Sequence, residues 1–329
     1  MTPKENYEQI VNGGTPEWVP CALVDFNIMR PTPCGLYAME HGGIDEYGVK
    51  WTISPTDGMP CVDPKRKILD DIADWRDFIE LPDLDSYDWA AMAEQDQANL
   101  DPDKPTVALT MAKGEVFMPI MNMMGFEDGL CAFMEDPDEV HALFEALVEY
   151  RIKMCTNILK YYDKIDTIVI GDDFASSNDL LVSYETFREM LLPYYKREFE
   201  ALKPFGKYIE FHLCGKVDRV IDDLMDLGMD IWQSAQCMND LHAIMEKYPN
   251  LAYDGVWDTS GPGALEGDTF EQVVQGIHET IDTYGATGRL MVLPGATFGV
   301  TDEAKQRFAW FLQECVRYGH EYGAKNFAR

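Results

Sequence analysis

With 329 residues, 46% of them hydrophobic and 26% charged, the chain is long enough for one large globular domain with an extensive core. Its 58 acidic residues against 27 basic ones leave a formal net charge of −31, which repels phosphate backbones and anionic headgroups and so argues against nucleic-acid and membrane-surface partners. No run approaches the ~18 apolar residues of a membrane span, and Met1–Asn6 lacks a basic patch leading into an apolar run, so a cytoplasmic protein without an export leader is expected.

Residues 3–13 carry a helical face of Tyr7, Ile10 and Val11, and the Pro-punctuated lead-in 15–20 enters a first strand expected over Cys21–Phe26. Residues 42–62, with Gly42-Gly43 and Thr56-Asp57-Gly58, read as a hairpin excursion, and the acidic stretch 66–100 as helix and loop. A regular alternation follows. Strands are expected at 106–111, 166–171, 207–214, 230–236, 251–257 and 289–294. Amphipathic helices are expected at 136–161, 184–203, 216–227, 238–248, 270–284 and 302–322. Strand-helix alternation of this kind implies parallel βα units. Seven strands are clear, and an eighth is expected between residues 60 and 130. The fold class expected is therefore α/β, a (β/α)8 TIM-type barrel. It would be a single domain, with 1–19 as an N-terminal helical lead-in and 20–329 as the barrel. The competing open doubly wound sheet is disfavoured because no G-x-G-x-x-G follows the first strand and there is no P-loop.

Catalytic groups of such barrels sit at the C-terminal ends of strands. That rule selects Asp25 and Asn27, Met111 and Lys113, Asp172 and Asp173, His212 and Cys214, Gln236 and Cys237, Asp254, Trp257 and Asp258, and Gly295 to Thr297. Alternation along residues 207–214 separates Ile209, Phe211 and Leu213, apolar and suited to packing under helices, from Glu210, His212 and Cys214, which face the interior. A His and a Cys two apart on one strand face can share a metal ion, and zinc favours imidazole with thiolate. A buried structural pair is the alternative. Of Asp172 and Asp173, one is expected to cap the following segment, leaving Asp173 to face substrate. Asp25 is a candidate proton acceptor. Trp232 and Trp257 are candidate walls of an apolar pocket, with Asn27, Arg30, Gln236 and Asp258 as polar substrate contacts. The stretch Met118–Phe126 is an adaptable wall or lid.

The segments Gly171-Asp172-Asp173, Ser183–Arg188, Leu192–Lys196 and Phe211-His212-Leu213-Cys214-Gly215 resemble the uroporphyrinogen decarboxylase superfamily. So do Asp45–Trp51 and Pro16–Pro20, and the resemblance runs over nearly the whole chain. It implies a (β/α)8 barrel. True decarboxylases of this superfamily carry an Arg-rich segment after the first strand, whereas Val24–Pro31 holds only Arg30. The resemblance is therefore to the branch of cobalamin-dependent methyltransferases. It implies methyl transfer between a small methylated compound, such as a methyl ether or methylamine, and a corrinoid protein. The cobalamin is then carried by that partner, and zinc is held by His212, Cys214 and a distant Cys. The expected distant Cys is replaced by Ala296, within Pro294-Gly295-Ala296-Thr297. Cys237, at the end of the next strand, and Glu210, on the same strand face, are the replacements considered first, with Asp172 or Asp258 behind them. Ala296 also keeps two other readings open: a metal-free decarboxylase of a smaller substrate, and a non-catalytic corrinoid- or ligand-binding barrel. The superfamily is compatible with a homodimer.

Overall fold

A capping box starts the first helix, Pro3–Val11. Thr2 accepts the Glu5 N–H, the Glu5 carboxylate accepts the Thr2 N–H, and Pro3 occupies the first turn, where no N–H is needed. The computed structural model to which this helix belongs describes residues 1–56, 58–111, 115–294 and 299–327.

Seven parallel strands follow one another around a sheet in the order β1 (Asn27–Met29), β5 (Thr106–Leu109), β6 (Thr167–Gly171), β7 (Tyr208–His212), β8 (Ile231–Ala235), β9 (Ala252–Val256) and β10 (Leu290–Leu293). Three short antiparallel strands, β2 (Gly43–Ile44), β3 (Lys50–Ile53) and β4 (Pro60–Val62), form the separate excursion expected from the glycines of residues 42–62. Helices Pro137–Tyr161, Leu192–Leu202, Phe270–Tyr284 and Asp302–Asn326 correspond to the amphipathic segments of the sequence. None of the described helices is long and apolar enough to cross a membrane.

Two expectations are corrected. Residues Ala22–Asp25 form a helical turn rather than a strand, because the Asp25 carboxylate accepts the Cys21 N–H at 2.8 Å and closes the turn locally. The strand begins only at Asn27. The eighth strand anticipated between 60 and 130 does not join the main sheet among the described residues. Instead Cys21 makes an isolated parallel bridge to Val292, with the Val292 N–H donating to the Pro20 carbonyl, so the segment before β1 reaches the last strand.

The two faces of the sheet differ in composition. Val107, Val169, Ile231, Ala252 and Met291 form one apolar cluster with Tyr7, Ile10 and Val11 of the first helix. The Tyr7 hydroxyl meets Thr167, the first residue of β6, so this helix plugs the end of the sheet where the strands begin. The other face packs under the outer helices. Phe211, for example, meets Tyr195 and Phe199 of the Leu192–Leu202 helix. The inner-face cluster sits toward the strand starts, while polar inner-face residues collect at the strand ends.

Candidate metal centre

β6 and β7 pair so that Gly171 lies opposite His212. A β-carbon at Gly171 would stand 2.1 Å from the His212 carbonyl oxygen and 2.7 Å from its Cβ, so a side chain there cannot coexist with His212 in place. Beyond the strand ends, Gly215 has φ +93° and turns the chain where a β-carbon would meet the Ser176 carbonyl oxygen at 2.7 Å. These two glycines bring the segments 171–173 and 212–214 together.

Asp173, His212 and Cys214 each offer a ligand atom, and all three atoms lie within 4.8 Å of one another. His212 Nε2 is 3.4 Å from Cys214 Sγ and 3.8 Å from Asp173 Oδ1. Ligands at ordinary zinc bond lengths around a tetrahedral ion stand roughly 3.4–3.6 Å apart. The spacing thus fits a zinc ion with a fourth position left for water or substrate. Asp173 Oδ1 also accepts the Cys214 N–H at 3.0 Å, which ties the carboxylate to the turn carrying the thiol. Burial lowers the basicity of His212, but the hydrogen bond and charge of Cys214, the charge of Asp173 and the Gln233 contact outweigh it and raise the imidazole to about 10.

Beneath this group His212 Nδ1 donates to Gln233 Oε1 at 2.7 Å. Gln233 Nε2 donates to Glu210 and, at 3.2 Å, to Asp254. Glu210 and Asp254 are both almost fully buried, and Asp254 Oδ1 has no hydrogen-bond partner among the described residues. Burial raises both carboxyls, Asp254 to about 7, and the charge of Asp254 raises Glu210 further.

Asp172 holds the site from behind. Its carboxylate accepts the N–H groups of Val116, Phe117 and Met118 at 2.9, 2.7 and 3.0 Å, capping the helix Phe117–Met124, and the Tyr195 hydroxyl at 3.0 Å. Burial raises it to about 6 against those donors. Asp172 is thus the capping member of the pair, but it caps the helix after β5 rather than the expected segment that follows it in sequence, while Asp173 lies in the ligand group. Glu115 completes the support: it accepts the Gly171 N–H at 2.9 Å and pairs with Arg151 through two hydrogen bonds of 2.7 and 3.1 Å.

The other sequence candidates divide. Cys237 does not join the metal group. Its Sγ donates to the Val256 carbonyl at 3.1 Å, and burial with the Asp258 charge raises the thiol to about 11. Glu210 faces inward as alternation required, yet it bonds Gln233 rather than taking a place in the ligand group. Asp25 caps the turn at Cys21. The Asn27 amide donates to the carbonyls of Asp101 at 2.8 Å and Lys104 at 3.3 Å. Since Asn27 pairs with the first residue of β5, it lies at the strand starts, away from His212. Arg30 is exposed and paired with Glu40 at 2.5 Å. Trp232 points outward under the helices, donating to the Leu213 carbonyl at 3.2 Å. Trp257 meets Phe311 edge-on at 4.9 Å in the same outer layer. Both tryptophans are core, because residues adjacent to the inner-facing Gln233 and near Asp254 must alternate outward.

Gln236 accepts the Gly215 N–H at 2.7 Å and so holds the turn after Cys214. Asp258, exposed after β9, accepts the Ser260 N–H at 2.9 Å. Lys113, Gly295, Ala296 and Thr297 lie outside the described residues. The helix Phe117–Met124 does wall a cavity of about 480 Å³, in which Met118 and Met121 face Trp51, Cys61 and Arg66. His41, His141, His242, His278 and His320 rest against aromatic rings.

Sequence reasoning placed Asp254 among the strand-end residues without giving it a role, and missed Gln233 and Glu115. Gln233, like Asp254, was legible as an inward position two residues before the strand end. Glu115 carried no signal, since it falls after a strand in a segment with no periodicity.

A search of solved structures finds a methyltransferase from Methanosarcina mazei with a TM-score of 0.61 and 15% sequence identity, covering 95% of this chain and 99% of that one, a likeness of fold. Among curated proteins none matches. The family model of uroporphyrinogen decarboxylase (URO-D) matches residues 44–295, which include β5 to β10 and the whole ligand group. The chain belongs to the uroporphyrinogen decarboxylase family.

Proposed function

We propose that this protein is a zinc-dependent methyltransferase that moves a methyl group between a small methylated compound and a corrinoid protein. The observation that carries the reading is the convergence of Asp173, His212 and Cys214 at the ends of β6 and β7, with ligand atoms at zinc-like spacing. Asp173 and Cys214 would bring two negative charges to a dication, and His212 a neutral nitrogen. Bound zinc would supply a Lewis acid that lowers the pKa of a thiol or hydroxyl acceptor, or polarises the atom from which a methyl group departs. The residues around it do the positioning: Gly171 leaves room for His212, Gln236 and Gly215 hold the turn of Cys214, and Asp172 fixes the neighbouring helix.

The charge around the site bears on the substrate. Asp173 stands in the ligand group, Asp172, Glu210 and Asp254 lie buried behind and beneath it, and Arg30 is spent on Glu40. Such a site disfavours a polycarboxylated tetrapyrrole and suits a neutral methyl ether or a methylamine. Asp258, exposed beyond β9, is the group available to a polar or cationic part of the substrate. The cobalamin belongs to the partner protein in this reading.

The test has two arms. Elemental analysis of purified protein is expected to find one zinc per chain in the wild type and none in His212→Ala; wild-type protein without stoichiometric zinc overturns the metal assignment. Incubation with reduced corrinoid protein and a panel of methyl ethers and methylamines is expected to give the absorbance change of a methylated corrinoid. Failure across the panel, with zinc present, overturns methyl transfer.

A further inference from the structure

Four residues form one row across the sheet. Gly171 pairs with His212, His212 with Gln233, and Gln233 with Asp254, on β6, β7, β8 and β9 in turn. Register partners on a parallel sheet point to the same face, so His212, Gln233 and Asp254 project together into the interior. Glu210, two residues before His212, joins them from the same side of β7.

We propose that Gln233 is a positioning residue that sets which nitrogen of His212 carries the proton, and that the buried carboxyl pair Glu210 and Asp254 in turn sets Gln233. An amide has one end that only donates and one that only accepts. Gln233 stands between an imidazole on one side and two carboxyl groups on the other. Turned one way, its two N–H bonds meet the two carboxyl groups and its oxygen meets His212 Nδ1. Turned the other way, its oxygen would face carboxyl oxygens in a buried site, which is repulsive unless both carboxyls donate. With at least one of the two carboxyls ionised, the acid pair therefore selects the first orientation. The amide oxygen facing Nδ1 then requires a proton on Nδ1, and leaves Nε2, directed at Cys214 and Asp173, as the nitrogen that binds a metal. Identity of the His212 tautomer is thus decided one residue pair deeper than the ligands themselves.

The backbone supports this independently. Ser234, next to Gln233, has φ +61°, and Val256, two residues after Asp254, has φ +63°. Left-handed conformations are costly for such residues, most for a β-branched one, and persist where the surroundings over-determine them. The pairing of β8 with β9 slips between Gln233 and Ala235, leaving Ser234 as the extra residue of a bulge. Strain and bulge begin one residue after Gln233 and two residues after Asp254. Both re-aim the chain toward the loops of the open end while the row itself stays in register.

The inference rests on the reading of His212 as a metal ligand, and two measurements separate the two claims. In zinc-loaded, histidine-labelled wild type, where Nε2 would carry the ion rather than a proton, the Nδ1-bound proton of His212 is expected as a slowly exchanging nitrogen-attached signal, and it is expected to be lost to exchange in zinc-loaded Gln233→Met. Absence of that signal from wild type that does bind zinc overturns the positioning role and leaves the metal assignment standing. In zinc competition against a chelator, Gln233→Met is expected to bind about 10–100-fold more weakly than wild type. Wild-type affinity in Gln233→Met, with zinc lost from His212→Ala, overturns the proposal while leaving the metal assignment standing. Should Gln233→Met fail to fold, the isosteric double variant Glu210→Gln/Asp254→Asn carries the test. It frees Gln233 to turn, and is expected to weaken the Nδ1 proton signal and zinc binding together, whereas Asp254→Asn alone leaves both near wild type because Glu210 still selects the orientation. A double variant identical to wild type in both overturns the role of the pair.

Discussion

Gly171 and His212 face one another across β6 and β7 so closely that a β-carbon on the first would lie 2.1 Å from the carbonyl oxygen of the second. The contact is backbone against backbone, so no side-chain rotation relieves it. Gly171→Ala is therefore expected to move His212 rather than be accommodated. A stability loss of about 1–3 kcal/mol in chemical denaturation should accompany it, the range for inserting a methyl group into packed structure. Zinc content falling out of proportion to the loss of fold would place the displacement at His212, and unchanged zinc content would refute it.

Asp173, rather than Cys237, supplies the third candidate ligand atom. Asp173→Asn keeps the shape and an acceptor for the Cys214 N–H but removes the charge. Weaker zinc binding by at least about tenfold is expected from it in chelator competition. Cys237→Ser, whose thiol is occupied with the Val256 carbonyl, is expected to bind zinc like the wild type. The opposite ranking would return Cys237 to the ligand set.

Arg151 lies buried against Glu115, which in turn holds the Gly171 N–H. Arg151→Met leaves the carboxylate without its cation in a dry site. A destabilisation of about 3–5 kcal/mol is expected, the range for breaking one half of a buried ion pair. Urea titration measures it, and a change below about 1 kcal/mol would mean that Glu115 finds another partner or a proton.

Asp254 makes stability depend on pH. Burial raises its carboxyl from 3.8 to about 7, against the hydrogen bond from Gln233 and the charge of His212. Below pH 4 folded and unfolded chains both hold the proton. Between about 4 and 7 the unfolded chain releases it while the folded chain keeps it, so this group's contribution falls as pH rises, and levels off above 7. Asp254→Asn keeps an acceptor for Gln233 without the ionisation. It is expected to be indistinguishable from wild type near pH 4 and more stable by on the order of 2–4 kcal/mol at pH 8. A stability difference independent of pH would show that Asp254 titrates normally.

Much of this molecule was present in the order of its residues. Short apolar runs alternating with amphipathic helices specified a parallel sheet, because strands buried on both faces need apolar residues throughout and crossover helices need an apolar stripe. Period two along 207–214 placed Glu210, His212 and Cys214 on the inner face, and that period is local geometry. Where local geometry was ambiguous the reading failed: Cys21–Phe26 is apolar at nearly every position, so periodicity could not separate strand from turn, and the Asp25 carboxylate decided it. The partners of the inner residues were beyond the sequence for a different reason. Which strand ends lie side by side, how far apart, and in what register are set by strand pairing and backbone contact, as at Gly171. Only the tertiary structure could exchange Cys237 for Asp173, turn Trp232 and Trp257 outward, and bring Gln233 and Asp254 beneath His212. Residue types and their alternation determined that this strand end would carry chemistry; long-range packing decided which groups share it.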